Sequence, residues 1–294
     1  MAGTQDRRHV VILLAPAMLV VGLTTLYPLG FSFWTSFHDW RLIKSLMPGA
    51  YIGWENYLTA FTDDPVFWTV MRVTLRFVLV DVVATILAAL GLALLLMRAG
   101  FTRSLLRTLI ILPFAVSPAL IGISWRFMFN PEYGAIHHTI STFLPFMAKT
   151  DWFASPVLAT YALVSADLWH WAPYFAFMLM GGLASVPAET QEAARIDGAS
   201  DVRVFFSITL PQMAPVLTVA VILKTVFALK VFDSIVTMTG GGPGLETSTL
   251  AFFAYNTGFR DYDMGYAAAI AYVLTIILFA LSFFYMRFIM PASK

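Results

Sequence analysis

Long apolar runs alternate with short polar segments along this chain, and the runs have the length of membrane-spanning helices. A helix needs about 20 mostly apolar residues to cross the hydrocarbon core of a bilayer. Six segments meet that requirement, at residues 10–31, 70–97, 105–127, 157–179, 213–236 and 265–288. The fifth is the least apolar, because Lys224, Lys230 and Asp233 fall inside it. The pattern predicts an all-α polytopic membrane protein with six transmembrane helices.

Composition supports a membrane protein and removes several classes of function. The chain has 294 residues, of which 59% are hydrophobic and 12% are charged, whereas a soluble domain carries about 25% charged residues. A net charge of +1 gives no sign of nucleic-acid binding. The absence of cysteine excludes disulfides and thiolate metal sites, and no cluster of His, Asp and Glu has the spacing of a metal site.

The distribution of basic residues predicts how the chain is oriented. Positive residues are enriched on the cytosolic side of membrane proteins, and the short turn at 98–107 carries Arg98, Arg103 and Arg107. Arg7 and Arg8 precede the first apolar run. That run has no charged residue from His9 to His38, so we expect a retained helix rather than a cleaved signal peptide. Both termini are therefore predicted to be cytosolic.

A polar segment at residues 187–211, here called the elbow, interrupts the apolar pattern between the fourth and fifth spans. Pro187 suits the first turn of a helix, Gly198 suits its end, and Ser200 or Asp201 can cap a second helix. The pattern predicts two short cytosolic helices joined at a glycine. They could dock on a soluble partner, or they could lie on the membrane surface as an amphipathic hairpin.

One face of the fourth span carries polar and aromatic side chains together. Asp167, His170, Trp171 and Tyr174 follow the i, i+3, i+4, i+7 spacing of a helix face. Ionisable residues within spans usually face a cavity or each other, and this mixture suits a sugar, whose hydroxyls need polar partners and whose ring needs an aromatic surface. The set predicts a substrate pathway, and an aromatic belt at the outer interface is the alternative.

The other ionisable residues within the spans predict ion pairs. Lys224 could pair with Asp167 or Asp233, or it could attract an anionic substrate. Lys230 and Asp233, three residues apart, predict a local ion pair. A similar local arrangement is predicted for a set on the second span, which consists of Arg72, Arg76 and Asp81.

The elbow also resembles the signature loop of permease subunits of bacterial carbohydrate ABC importers. That loop reads Glu-Ala-Ala, three residues, Gly, nine residues, Ile-x-Leu-Pro. The fixed positions are all matched, by Glu192, Ala193, Ala194, Gly198, Ile208, Leu210 and Pro211. The likeness extends over nearly the whole chain, through segments 51–57, 112–114, 182–187 and 239–244, and is strongest to the MalF and UgpA type. Val73-Thr74 departs from it, because an Asn-Thr pair is more usual there.

The resemblance implies a type-1 ABC importer fold, with an N-terminal helix and outer loop at 1–69, a core domain at 70–290 and a cytosolic coupling helix. It implies that the chain translocates a carbohydrate delivered by an extracytoplasmic binding protein. The residues that would couple to an ATPase are Glu192, Ala193, Ala194, Arg195, Asp197 and Gly198. The residues that would line the pathway are Phe114, Pro118, Asp167, His170, Trp171, Tyr174, Lys224, Phe227 and Ala228.

The implied partners are a second permease subunit, two ATPase subunits and a periplasmic or lipid-anchored binding protein, in a bacterial inner membrane. No G-x-x-x-x-G-K-[ST] motif is present, so we expect no enzyme activity and no bound cofactor, with ATP and Mg on the partner ATPases. Two rival functions follow from the residues alone. An ion-coupled secondary transporter would use Asp167, Lys224 and Asp233, and a membrane enzyme would need a clustered catalytic set.

Overall fold

The computed structural model describes residues 13–98 and 108–288, and within these ranges the secondary structure is helical apart from isolated β-bridges at His38–Tyr51 and Arg41–Asp263. The principal helices, in chain order, are α1 (Leu13–Thr35), α2 (Pro65–Arg98), α3 (Thr108–Ala115), α4 (Pro118–Met128), α5 (Ala135–Phe143), α6 (Pro156–Ala184), α7 (Ala188–Ile196), α8 (Asp201–Gln212), α9 (Ala214–Leu229), α10 (Leu250–Phe259) and α11 (Met264–Phe288).

Three of the described helices are long and apolar enough to cross a membrane, namely Leu13–Thr35, Pro65–Met97 and Met264–Arg287. Two more spans result if each of two bent pairs counts as one. The pair α3 and α4 bends by 100°, and the pair α8 and α9 bends by 71°. The all-helical prediction is confirmed. Of the six predicted spans, three are clear membrane-spanning helices in the described residues.

The differences from the predicted spans have local causes. Segment 157–179 lies in α6, which has 29 residues but carries Asp167 and His170 and is not apolar enough to count with the clear spans. Segment 105–127 is broken at Val116 and Ser117, between the proline-containing stretches that start at Leu112 and Pro118. Segment 213–236 was predicted as one helix, but α9 ends at Leu229 and the chain then turns.

The described residues fall into two compact units. The first consists of residues up to Pro65 together with Ala254–Val273. Within it, Asn56 donates from Nδ2 to the backbone oxygens of Ser36, at 2.9 Å, and of His38, at 3.2 Å. Burial raises the pKa of the Tyr57 phenol, whose oxygen lies 2.7 Å from Ser36 Oγ. These hydrogen bonds fix the segment that follows α1.

The second unit consists of Val66–Phe253 together with the residues from Leu274 onward. Helix α6 is at its centre and buries Phe175 and Leu179 completely. Close packing of α6 on α9 depends on Gly182, because a Cβ atom there would lie only 3.0 Å from the Cβ of Val216. The start of α10 is tied to α2 by a hydrogen bond from the backbone N–H of Leu250 to Thr74 Oγ1, at 2.9 Å.

The predicted division at 1–69 and 70–290 stays a prediction, as do the cytosolic termini. The basic residues on which the orientation depends, Arg7, Arg8, Arg103 and Arg107, lie outside the described residues.

Candidate functional site

A cavity of about 170 Å³ lies in the second unit, beside the polar face of α6. Five of the predicted pathway residues line it, namely Pro118, Asp167, His170, Trp171 and Phe227. They come from α4, α6 and α9, so segments far apart in sequence converge on one space. The structure therefore brings this part of the predicted set together, while the role of these residues in transport stays a prediction.

The break between α3 and α4 orients His170. The ring Nδ1 of His170 lies 3.0 Å from the backbone oxygen of Pro113. A carbonyl oxygen can only accept, so Nδ1 carries the proton and Nε2 is the acceptor in the neutral ring. The carbonyl of Pro113 belongs to the 3₁₀ turn at Leu112–Ala115. A helix-breaking proline thus contributes the group that holds the imidazole.

Aromatic rings form three stacked contacts beside the cavity. Trp171 and Phe227 stack with ring centroids 4.2 Å apart and an interplanar angle of 15°. Phe114 stacks on His170 at 5.7 Å and on Tyr174 at 5.1 Å. Phe114 and Tyr174 do not line the cavity itself, but they complete the aromatic cluster next to it. Flat aromatic surfaces beside polar groups can bind a sugar ring and its hydroxyls.

Lys224 lies behind the cavity wall in a buried ion-pair triad. Its ammonium contacts Asp81 Oδ2 at 2.6 Å and also bonds Asp167 Oδ2. Lys224 and Asp81 have no exposed surface, and Asp167 is 8% exposed. The expected pairing of Lys224 with Asp167 is therefore observed. Lys224 does not line the cavity, and neither does Ala228, which is buried in the core.

Two expected ion-pair arrangements differ from the observed ones. Asp81 was grouped with Arg72 and Arg76, but it pairs across helices with Lys224. Arg76 instead bonds Glu246 at 3.0 Å. Lys230 and Asp233 make no ion pair within the described residues. Because α9 ends at Leu229, just before Lys230, the spacing of one helix turn no longer brings the side chains of Lys230 and Asp233 together.

Several lining residues were missed because the chain was taken as helix beyond Leu229. Lys230, Val231, Phe232, Asp233 and Ser234 follow the end of α9 and form one side of the cavity. Residues 230–232 are not helical, and a new helical stretch begins at Asp233. A polar interruption at Lys230 and Asp233 within an otherwise apolar span was the available signal. Ile121 and Ala166 complete the wall, and apolar residues of this kind carry no signal of their own.

The elbow has the predicted form of two short helices joined at a glycine. Helix α7 ends at Ile196, and Gly198 has a φ of +84°, a conformation that side-chain-bearing residues rarely adopt. Ser200 Oγ accepts a hydrogen bond from the backbone N–H of Arg203, as expected of a helix cap. Arg195 Nε bonds Asp201 Oδ1 at 2.9 Å, which joins α7 to α8 across the bend.

The surface of the elbow is open and partly apolar. Ile196, Val202 and Phe206 are exposed. The predicted coupling residues Glu192, Ala193, Arg195, Asp197 and Gly198 are also exposed, and Ala194 is half-buried. A cleft of about 320 Å³ in the bend is lined by residues that include Ala194, Asp197 and Gly198. These residues are available for contact with another surface, and their coupling role stays a prediction.

Within the described parts of the chain, no group of three or more His, Asp or Glu residues has the arrangement of a metal site. Among the polar groups that line the cavity, His170 bonds the Pro113 carbonyl and Asp167 belongs to the ion-pair triad. This arrangement can bind a small polar molecule, and the described residues include no paired nucleophile and base beside it.

Comparison with known proteins connects these features to a family. Residues 82–291 match the family model of the binding-protein-dependent transport system inner membrane component. The chain is 36% identical over 284 residues to the sulfoquinovosyl glycerol transport system permease protein SmoG of Agrobacterium fabrum, covering 97% of this chain and 91% of that protein. It is 36% identical over 273 residues to the trehalose/maltose transport system permease protein MalF of Thermococcus litoralis, covering 92% and 90%.

The fold is also similar to a solved structure. A chain in the crystal structure of a bacterial ABC transporter that imports the acidic polysaccharide alginate superposes with a TM-score of 0.82, covering 98% of each chain at 17% identity. At this identity the likeness shows the fold alone.

Proposed function

Because this chain belongs to the family of inner-membrane components of binding-protein-dependent transport systems, we propose that it is the permease subunit of an ATP-driven carbohydrate importer. The observation that carries this function is its similarity, over nearly its full length, to permeases named for sulfoquinovosyl glycerol and for trehalose or maltose. All of these substrates carry polyhydroxylated sugar rings. The resemblance to permeases of carbohydrate ABC importers, and the permease function predicted from it, are confirmed by this similarity.

The cavity supports a carbohydrate as the substrate. Trp171 and Phe227 provide a flat apolar surface, and Asp167 and His170 provide polar groups on the same wall. The volume of about 170 Å³ is below the roughly 300 Å³ at which small-molecule sites begin. We therefore expect a second permease subunit to supply the remaining wall of the site.

For the membrane topology, we propose six spans with both termini in the cytosol. Each bent pair, α3 with α4 and α8 with α9, would count as one span, and α6 would be the fourth. With 29 residues, α6 exceeds the roughly 20 that a span requires, and its polar face would point away from lipid. The arginines of the predicted turn at 98–107 support this orientation.

For energy coupling, we propose that the elbow docks on an ATPase subunit in the cytosol. The exposed small residues of α7 and the apolar side chains of Ile196, Val202 and Phe206 support a protein partner. ATP and Mg would be bound by two ATPase subunits and not by this chain. The full assembly would also contain the second permease subunit and a binding protein outside the membrane.

Reconstitution tests the proposed function. The chain is co-expressed with the second permease subunit, the ATPase and the binding protein that are proposed as its partners. Uptake of labelled sugar into proteoliposomes is then measured. We expect uptake to require ATP and the binding protein, and to stop when the ATPase carries a substitution in its catalytic glutamate. Uptake that runs on a proton or sodium gradient without ATP would establish the rival secondary transporter instead.

The set of candidate sugars can be reduced first in experiments with the binding protein alone. Thermal unfolding of that protein is measured with maltose, trehalose and sulfoquinovosyl glycerol, which represent neutral and anionic members of the class. The sugar that raises the midpoint most is then used for uptake.

A further inference from the structure

The triad of Asp81, Lys224 and Asp167 connects three helices at one point behind the cavity. Asp81 is on α2, Asp167 on α6 and Lys224 on α9. Asp81 is held from a second direction by Thr85 Oγ1, which lies 3.5 Å from Asp81 Oδ1. Since Lys224 and Asp81 are fully buried, their positions are set by the packing around them.

The two carboxylates of the triad have different surroundings. Asp81 is enclosed and does not line this cavity, whereas Asp167 forms part of its wall. A carboxylate has two oxygens and about four acceptor sites. The bond from Lys224 reaches Oδ2 of Asp167, so the group retains acceptor capacity toward the cavity. The triad thus has an inner end, at Asp81, and an outer end, at Asp167.

The same arrangement removes Lys224 as a direct partner for substrate. Its ammonium is shared between two carboxylates, does not line the cavity and has no exposed surface. An anionic substrate would have to displace one of these carboxylates to reach it. What the triad offers to the cavity is an acceptor, and hydroxyl groups are the donors that a carbohydrate carries.

We propose that Asp81 and Lys224 are positioning residues for Asp167, and that Asp167 is the residue that selects a substrate hydroxyl in the cavity. This inference rests on the proposed carbohydrate transport. An unrestrained aspartate at a cavity wall samples several rotamers and loses that freedom when it binds a ligand. The ammonium of Lys224 fixes the carboxylate beforehand, and Asp81 fixes the ammonium. The acceptor is thereby preorganised for one hydroxyl position.

The test uses two equally conservative changes at the two ends of the triad. Asp167→Asn and Asp81→Asn each remove one carboxylate charge and keep the shape of the side chain. Each variant is assembled with its partner subunits and binding protein, and uptake into proteoliposomes is measured. The probes are the best-transported of maltose, trehalose and sulfoquinovosyl glycerol, together with the set of its analogues that each lack one hydroxyl.

The readout is the ratio of uptake of the parent sugar to uptake of each deoxy analogue. The same binding protein delivers every probe. Its own selectivity therefore cancels when the uptake ratio of a variant is divided by the uptake ratio of the wild type. We expect Asp167→Asn to lower this ratio by about tenfold for one hydroxyl position, as the loss of a hydrogen bond to a charged group would. We expect Asp81→Asn to lower the ratio for the same position by about threefold.

An effect of Asp81 on that hydroxyl would have to pass through the other members of the triad, because Asp81 does not line the cavity. If Asp81→Asn lowers thermal stability but leaves every ratio unchanged, the triad only holds the helices together and the proposal is overturned. An unchanged pattern in Asp167→Asn overturns it as well. If Asp81→Asn does not assemble, the double variant Asp81→Leu/Lys224→Met takes its place, because it removes both positioning residues. A lowered ratio at the same hydroxyl position then supports the proposal, and unchanged ratios overturn it.

Failure of the proposed function would look different from failure of this inference. If the wild-type assembly takes up none of the sugars in an ATP-dependent way, the carbohydrate function itself is wrong. If the wild type transports and discriminates while neither variant changes the ratios, this inference is wrong in both of its parts and the carbohydrate function stands.

Discussion

Arg195 bonds Asp201 across the bend of the elbow, with 2.9 Å between Nε and Oδ1. Both side chains are at least half exposed, and an exposed ion pair contributes no more than about 1 kcal/mol. Its value in this position is geometric, because it restrains the angle between α7 and α8. We expect this restraint to matter when one helix is pushed by a partner and the other transmits the motion.

Charge reversal tests that restraint. Arg195→Asp or Asp201→Arg alone should reduce ATP-driven uptake by a few-fold, because like charges would then face each other across the bend. The double reversal restores the opposite charges and should restore uptake. Uptake is measured in proteoliposomes at equal amounts of assembled transporter. A double variant as impaired as the singles would show that these side chains contact a partner instead of each other.

Substitution of Gly198 tests the left-handed bend. Gly198→Val should impair uptake strongly while ATP hydrolysis continues, because a β-branched residue is strained at a φ of +84°. A Cβ atom would meet no neighbour there, so the expected effect is on the backbone alone. Gly198→Asn is the matched control, since asparagine tolerates positive φ better than other residues. The ratio of sugar transported to ATP hydrolysed is the measurement, and equal ratios in both variants would contradict the prediction.

Removal of the buried ammonium should destabilise the protein. Lys224→Met leaves Asp81 and Asp167 buried without their counter-ion, and breaking a buried pair costs about 3–5 kcal/mol. Thermal unfolding of the detergent-solubilised assembly should therefore begin at a clearly lower temperature. Lys230→Met is the control, because this lysine is exposed and makes no ion pair in the described part of the chain. A selective loss of anionic sugars, with stability unchanged, would return Lys224 to a direct substrate role.

The stacked pair at the cavity gives a test of sugar binding. Trp171→Leu removes a ring that stacks on Phe227 at 4.2 Å and lines the cavity, so uptake should fall by about tenfold while assembly is retained. Trp169→Leu is the control on the same helix, at a position that does not line the cavity. Initial uptake rates over a range of sugar concentrations distinguish the two. Equal losses in both variants would assign the effect to helix packing.

Periodicity predicted the polar face of α6 because the helix is long and regular. Asp167, His170 and Trp171 lie on one side as their spacing requires, and all three reach the cavity. The elbow was predicted for a similar reason, since a proline, a glycine and a capping serine each constrain the backbone locally. In both places the sequence signal and the structural cause lie within a few residues of each other.

The features that were not predicted depend on contacts between distant segments or on backbone geometry. Asp81 and Lys224 are 143 positions apart, and charge patterning along one helix cannot identify such a partner. The apolar residues after Lys230 led to the prediction of a continuous helix. Hydropathy indicates whether a segment is surrounded by lipid or by water, but it does not determine the φ and ψ angles of the backbone. The 100° bend between α3 and α4 lies between Pro113 and Pro118, and its size depends on packing.

The buried triad also has a consequence for how the chain enters the membrane. Its residues emerge from the ribosome in the order Asp81, Asp167 and Lys224, so both acids are synthesised before the base that compensates them. A charged side chain in lipid is costly until it finds a partner. We expect α2 and α6 to remain at the insertion machinery, or to keep their acids hydrated, until α9 arrives. Integration of the earlier helices would then depend on translation of the later one.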